Sequence, residues 1–145
     1  MSKALEPASL GPHLPGVYRF AFLMTGEEEA AAAVLRRTVE RAAHAGITDL
    51  RDARRVRRWL FTEARHQCAG HAAATPPAPA DAAEPDASAA LAARFGVLPP
   101  PERGALILFY LYLFDPVELA EVLEIPPGQL APTLTRGRAL LGEAA

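Results

Sequence analysis

Apolar residues in this chain fall at helical spacing in two stretches, separated by a run that contains no large apolar residue. In the first stretch, Val17, Tyr18, Phe20, Ala21, Leu23 and Met24 predict a helix ending at Thr25-Gly26, after a loose proline-containing arm over residues 1–14. Thr25 and Glu28 have the spacing of a capping box. Glu27, Glu28 and Glu29 place negative charge at the positive end of a second helix, which runs to Ala45 and is closed by Gly46. A third helix, capped by Asp49 or Asp52, carries Val56, Trp59, Leu60, Phe61, Ala64 and Cys68.

The second stretch begins with a short helix from Ser88 to Phe95 and continues with an apolar helix from Pro101 to Leu113. Pro99, Pro100 and Pro101 sit at its start, where a missing N–H costs little. Asp115 followed by Pro116 caps a short amphipathic helix through Glu118, Leu119, Val122 and Leu123, which Ile125-Pro126-Pro127-Gly128 stops. Leu130, Leu134, Ala139, Leu140 and Leu141 form the apolar side of a last helix. Two short helices about a tight turn, behind a longer supporting helix, make a helix-turn-helix. The predicted fold is all-α, in two small helical domains. Residues 1–74 form a helical bundle, 75–88 a flexible linker and 89–145 the helix-turn-helix domain. The linker reading rests on four prolines and three acids between Thr75 and Ala87.

Composition and charge change this picture in two respects. Half of the residues are hydrophobic, so a core is available, yet the longest apolar run, Ala105–Phe114, is half the roughly 20 residues that span a bilayer. No membrane segment is expected. The single cysteine excludes an internal disulfide, and residues 1–15 lack the pattern of a signal peptide, so a cytoplasmic location is expected. The net charge of −2 is unevenly divided: residues 1–74 hold 11 Lys/Arg against 8 Asp/Glu, and residues 75–145 hold 4 against 9. A phosphate-gripping helix-turn-helix carries a basic excess, and here that excess lies in the other half.

Within the basic half, Arg51, Arg54, Arg58 and Arg65 fall within about 60° of one another on the third helix, opposite Val56 and Leu60. This stripe reads either as a solvated outer face or as a surface for DNA or an acidic partner, arginine favouring the latter. His66, Cys68 and His71 are close in sequence but diverge around a helix, so no metal site is assigned. Neither a glycine-rich phosphate loop nor a Ser-His-Asp order is present, and no cofactor, small-molecule substrate or enzymatic activity is expected.

The order of parts resembles an ECF-type bacterial sigma factor over residues 14–141. The resemblance is carried by Tyr18-Arg19-Phe20, Thr25-Gly26, Thr38, Trp59-Leu60-Phe61 with Ala64-Arg65, Leu98-Pro99-Pro100, Glu118 to Leu123, and Arg136 with Arg138. It implies a first domain that binds the polymerase clamp and opens the −10 promoter element, and a last helix that reads the −35 element. The departures cluster at those surfaces. Where the family presents an acidic second helix to polymerase, this chain has Ala32-Ala33-Val34-Leu35-Arg36-Arg37, followed by Arg41. The sign of a polymerase or partner face is thereby reversed. Ala131 and Thr133 stand where the reading helix carries cations, and Pro132 falls in its first turns. Glu124 takes the place of a turn glycine, which disfavours a left-handed residue there. Phe109, Tyr112 and Leu113 replace Arg, an acid and Gly, and read as either an enlarged core or an apolar interface.

These features imply a sigma-like transcriptional regulator, degenerate in its polymerase and promoter contacts, that acts through protein–protein interaction. The expected partners are an anti-sigma-like protein, a second copy of the chain, or RNA polymerase. Promoter DNA would be contacted through Arg51, Arg54, Arg58, Arg65, Arg136 and Arg138. Two other readings remain open: a working sigma factor that uses the arginine stripe on DNA, and an assembly protein that reuses the scaffold.

Overall fold

A computed structural model describes residues 10–47, 52–69 and 87–144. After a 3-10 turn at Gly11–His13 come seven α-helices, with a second 3-10 turn at Pro127–Gln129 before the last: α1 (Leu14–Thr25), α2 (Glu28–Ala45), α3 (Ala53–Ala69), α4 (Ala87–Phe95), α5 (Pro100–Leu111), α6 (Pro116–Leu123) and α7 (Leu130–Ala144). No strand occurs among the described residues. The all-α expectation therefore holds. Residues 1–9 of the expected arm and 75–86 of the expected linker lie outside the described residues. The rest of the arm is not loose, since Leu10 is buried and Gly11–His13 lead into α1, and residues 87–88 of the linker belong to α4.

Local chemistry sets most of the helix ends. Gly26 and Gly46 close α1 and α2 in the left-handed conformation, at φ 77° and 75°, a region open to glycine without a Cβ clash. Asp115 accepts from the Glu118 N–H at 2.9 Å and caps α6, with Pro116 in its first turn. Asp52 accepts from the Arg54 N–H at 3.0 Å at the start of α3, while Asp49 lies outside the described residues.

Two further expectations are corrected, and Pro132 falls where a proline is tolerated. Thr25 does not cap α2: as the last residue of α1 it donates to the Ala21 carbonyl at 2.8 Å, and Glu27 occupies the N-cap without a side-chain bond. Glu124 adopts the left-handed conformation that its side chain disfavours, at φ 58°, and closes α6 as a glycine would. Pro132 does not break the last helix. It is the third residue of α7, where its missing N–H belongs to a turn without intrahelical partners.

The buried residues of both halves form one cluster. Helices α1, α2 and α3 pack on one another around Val17, Phe20, Val34, Leu60 and Phe61. Helices α5, α6 and α7 pack around Leu106, Leu108, Leu119 and Val122. The layers are joined where α6 lies against α3 and α5 against α1, and α4 packs chiefly on α1. Gly137 lets α7 approach α5, since a Cβ there would lie 2.8 Å from Leu106 Cδ1. At this seam Tyr112 packs against Phe61, with ring centroids 5.0 Å apart, and its hydroxyl donates to the Gly16 carbonyl at 2.7 Å. Four of the candidate residues, Arg54, Arg58, Arg65 and Tyr112, meet at this seam.

Candidate functional site

Helix α3 has two faces for a simple reason of spacing. Val56, Leu60, Phe61, Ala64 and Cys68 recur at three- and four-residue intervals and are buried. The arginines on its other side lie along α6, Arg54 exposed and Arg58 and Arg65 partly buried. In α6, Leu119, Ala120, Val122 and Leu123 turn inward, leaving Glu118, Glu121 and Glu124 at three-residue intervals toward α3.

The resulting pairs follow the same order along both helices. Arg54 reaches Glu118 with Nη2 at 3.1 Å and Nε at 3.3 Å. Arg58 Nη1 meets Glu121 Oε1 at 3.1 Å. Arg65 pairs with Glu124 and also donates from Nε to the Val122 carbonyl at 3.0 Å. His66 bonds the same Glu124 carboxylate through Nε2. The His66 hydrogen bond, with Arg65 beside it, holds the Glu124 carboxyl below its ordinary pKa. The seam thus compensates the residue whose backbone is least comfortable in this turn. Exposed ion pairs contribute about 0.2–1 kcal/mol each; the Glu118 side chain is only 10% exposed, so Arg54 also neutralises a buried carboxylate.

Two arginines that the sequence reading passed over reinforce the seam. Arg57 donates to the Tyr112 carbonyl, and its guanidinium lies 3.9 Å from the Phe114 ring centroid, a cation–π contact. Arg103 donates to the carbonyls of Leu98, Gly96 and Met24, tying the start of α5 to the end of α1. The neglected signal was the charge division itself. A basic stripe in one half and an i, i+3, i+6 row of Glu in the other are complementary, and two linked halves of opposite sign attract.

The remaining candidates disperse. Arg51 lies outside the described residues. Arg136 pairs with Glu102 at 2.9 Å and Arg138 donates to the Tyr110 hydroxyl at 2.9 Å, so both sit on the α5–α7 contact. Arg36 and Arg37 are exposed on α2 with no partner among the described residues, and Arg41 pairs with Glu63 at 3.4 Å. Phe109, Tyr112 and Leu113 do not share one face. Tyr112 is held inside the seam, where burial pushes its pKa to about 12; Phe109 is half-buried against Tyr110; and Leu113 is 79% exposed. Leu113 also holds a positive φ of 54°. His66 is engaged with Glu124, Cys68 is buried as a neutral thiol at a pKa of about 12, and His71 lies outside the described residues.

Solved structures share this fold, among them two complexes with NepR. One is the sigma factor RpoE in complex with the anti-sigma factor NepR from Bartonella quintana, with TM-score 0.73 and 19% identity over 92% of each chain. The other is the PhyRSL–NepR complex from Sphingomonas sp. Fr1, with TM-score 0.73 and 24% identity over 94% of this chain and 87% of that one. The fold is a sigma-factor fold. No family model and no curated protein matches the chain. In this sigma-like frame the exposed residues of the last helix include Ala131, Pro132, Thr135 and Ala139 together with Arg136 and Arg138, which also bond to α5. Among the described residues no helix is long and apolar enough to cross a membrane.

Proposed function

We propose that this chain is a divergent ECF-sigma-like regulator of transcription in the bacterial cytoplasm, which works by binding an anti-sigma-type protein and not by reading promoter DNA. The observation that carries this reading is the state of its arginines. Arg54, Arg58, Arg65 and Arg136 each face a carboxylate of the chain itself, and Arg138 faces a tyrosine hydroxyl. Affinity for DNA comes largely from cations that neutralise phosphates. A reading helix whose cations are already engaged, and whose remaining exposed positions are neutral, has little to offer a phosphate backbone.

Further support comes from α2, where Ala32 and Ala33 stand in place of two acids of the family's polymerase face and the exposed Arg36 and Arg37 in place of a Gln-Glu pair. Both solved neighbours were captured with NepR, an anti-sigma factor in the first of them by its own description. The exposed Tyr110, Leu113 and Val117 supply apolar area suited to a protein partner. On this reading the protein is no enzyme, and the two halves act as one docking body.

The test is a reconstitution with the purified full chain. It is mixed, separately, with an anti-sigma protein of the NepR kind and with core RNA polymerase, and each mixture is run by size exclusion with light scattering. The reading expects a stoichiometric complex with the first and free protein with the second. Retention by polymerase without any anti-sigma complex would reverse it.

A further inference from the structure

We propose that the cavity at the seam between the two halves binds a small amphipathic carboxylate, with its apolar tail against Met24, Leu123 and Ile125 and its head at Arg103. The cavity measures about 300 Å³ and is walled by α1, α3, the start of α5, the end of α6 and α7. That volume is at the lower end of small-molecule pockets and about twice that of an apolar cavity able to hold benzene. The walls are mainly apolar, and Arg65, Arg103 and Thr133 bring polar atoms to them.

The charge of the occupant follows from Arg103. Its guanidinium is half-buried and, among the described residues, donates to the carbonyl oxygens of Met24, Gly96 and Leu98. Among the described residues no carboxylate pairs with it, whereas Arg54, Arg58, Arg65 and Arg136 each have one. Burying a cation without a counter-charge is costly. Cys68, also in the wall, does not supply one, because burial pushes its thiol to about 12 and leaves it neutral. Arg65 is shared with Glu124, so the cavity as a whole keeps a positive bias. A cation would be repelled there, and a neutral molecule would leave the Arg103 charge unmatched. An anion with an apolar body satisfies both the walls and the charge.

Because the walls come from both halves, an occupant ties them together and raises the stability of the closed arrangement. This inference is independent of which protein the chain docks. The ligand would be an effector and not a substrate.

The probe is decanoate, used below its micelle-forming concentration with the full chain and followed by titration calorimetry and thermal unfolding. Acetate tests the head alone and decanol the tail alone. One saturable site for decanoate, a rise in Tm, and much weaker binding of both comparators are expected. Arg103→Gln should weaken decanoate about tenfold, as expected for losing a hydrogen bond to a charged group, and leave decanol unchanged. Should that variant fail to fold, Ala69→Trp places a ring across the cavity from an exposed position at the end of α3, and should abolish binding in a folded protein. No saturable heat, equal affinity for decanol, uptake of several equivalents, or undiminished binding by Ala69→Trp would each overturn the proposal.

Discussion

Arg58 in α3 donates to Glu121 in α6 across the seam, Nη1 to Oε1 at 3.1 Å, and Arg54–Glu118 and Arg65–Glu124 repeat the relation on either side. The three pairs are not equal. The Arg58 and Glu121 side chains are both accessible, so their coupling should be about 0.2–1 kcal/mol and should fall with added salt. Arg58→Glu should destabilise, and the swapped double variant with Glu121→Arg should recover most of the loss in urea unfolding. Removing Arg54 leaves the buried Glu118 carboxylate without its partner. Arg54→Ala should therefore cost more than Arg58→Ala, about 1–3 kcal/mol. Equal costs at the two sites would contradict the burial difference.

The seam should loosen in acid through Glu124. The His66 hydrogen bond, with Arg65 beside it, holds the Glu124 carboxyl below its unfolded pKa. A carboxyl depressed in the folded state contributes stability that is present above its unfolded pKa and is lost as pH falls through the folded value. Unfolding midpoints should therefore drop on acidification below the usual carboxylate range, and Glu124→Gln should remove that part of the drop. His66→Ala should move the Glu124 titration, followed by carbon NMR of the side-chain carboxyl, back toward its ordinary value. An unmoved titration would mean that the contact is not maintained in solution.

Leu113 holds φ 54° with 79% of its surface exposed, so it carries backbone strain and gains little from burial. Leu113→Gly should raise stability by about 1 kcal/mol, since the left-handed penalty exceeds the extra chain entropy of glycine. A higher urea midpoint is the expected result. The same change at Glu124 should not help, because it also removes the contacts to Arg65 and His66.

Gly137→Ala has the opposite sign. The new Cβ would lie 2.8 Å from Leu106 Cδ1 and 3.0 Å from Cγ, and Leu106 is fully buried. Overpacking of this kind costs about 1–3 kcal/mol and should part α7 from α5. Loss of the Arg136–Glu102 contact, read as a change in the Arg136 side-chain NMR signals, should accompany it.

These contacts also show what was legible beforehand. The helices, the Asp115 cap and the stops at Gly26 and Gly46 rest on interactions within a few residues, and the sequence displays those directly. The arginine stripe was equally visible as a pattern on one helix. Its counterpart was not, because Glu118 lies 64 residues from Arg54 and only the packing of α6 on α3 brings them together. Tyr112 illustrates the same limit. As a residue in an aromatic run it suited either a core or an exposed face, and only its hydroxyl bond to Gly16 and its contact with Phe61 place it inside. Glu124 and Pro132 went against local preference and are nevertheless accommodated, one by Arg65 and His66, the other by its place in the first turn of α7.

In this sigma-like scaffold Arg54, Arg58, Arg65 and Arg136 are paired with carboxylates of the chain itself, and transcription in a purified system shows whether any promoter reading survives. Core polymerase, a supercoiled template library and the full chain are combined, with a functional ECF sigma factor run in parallel. The account predicts specific starts from the control and none from this protein at any concentration. Promoter-specific transcripts that depend on this protein, and that fall when Arg136 and Arg138 are replaced, would contradict it.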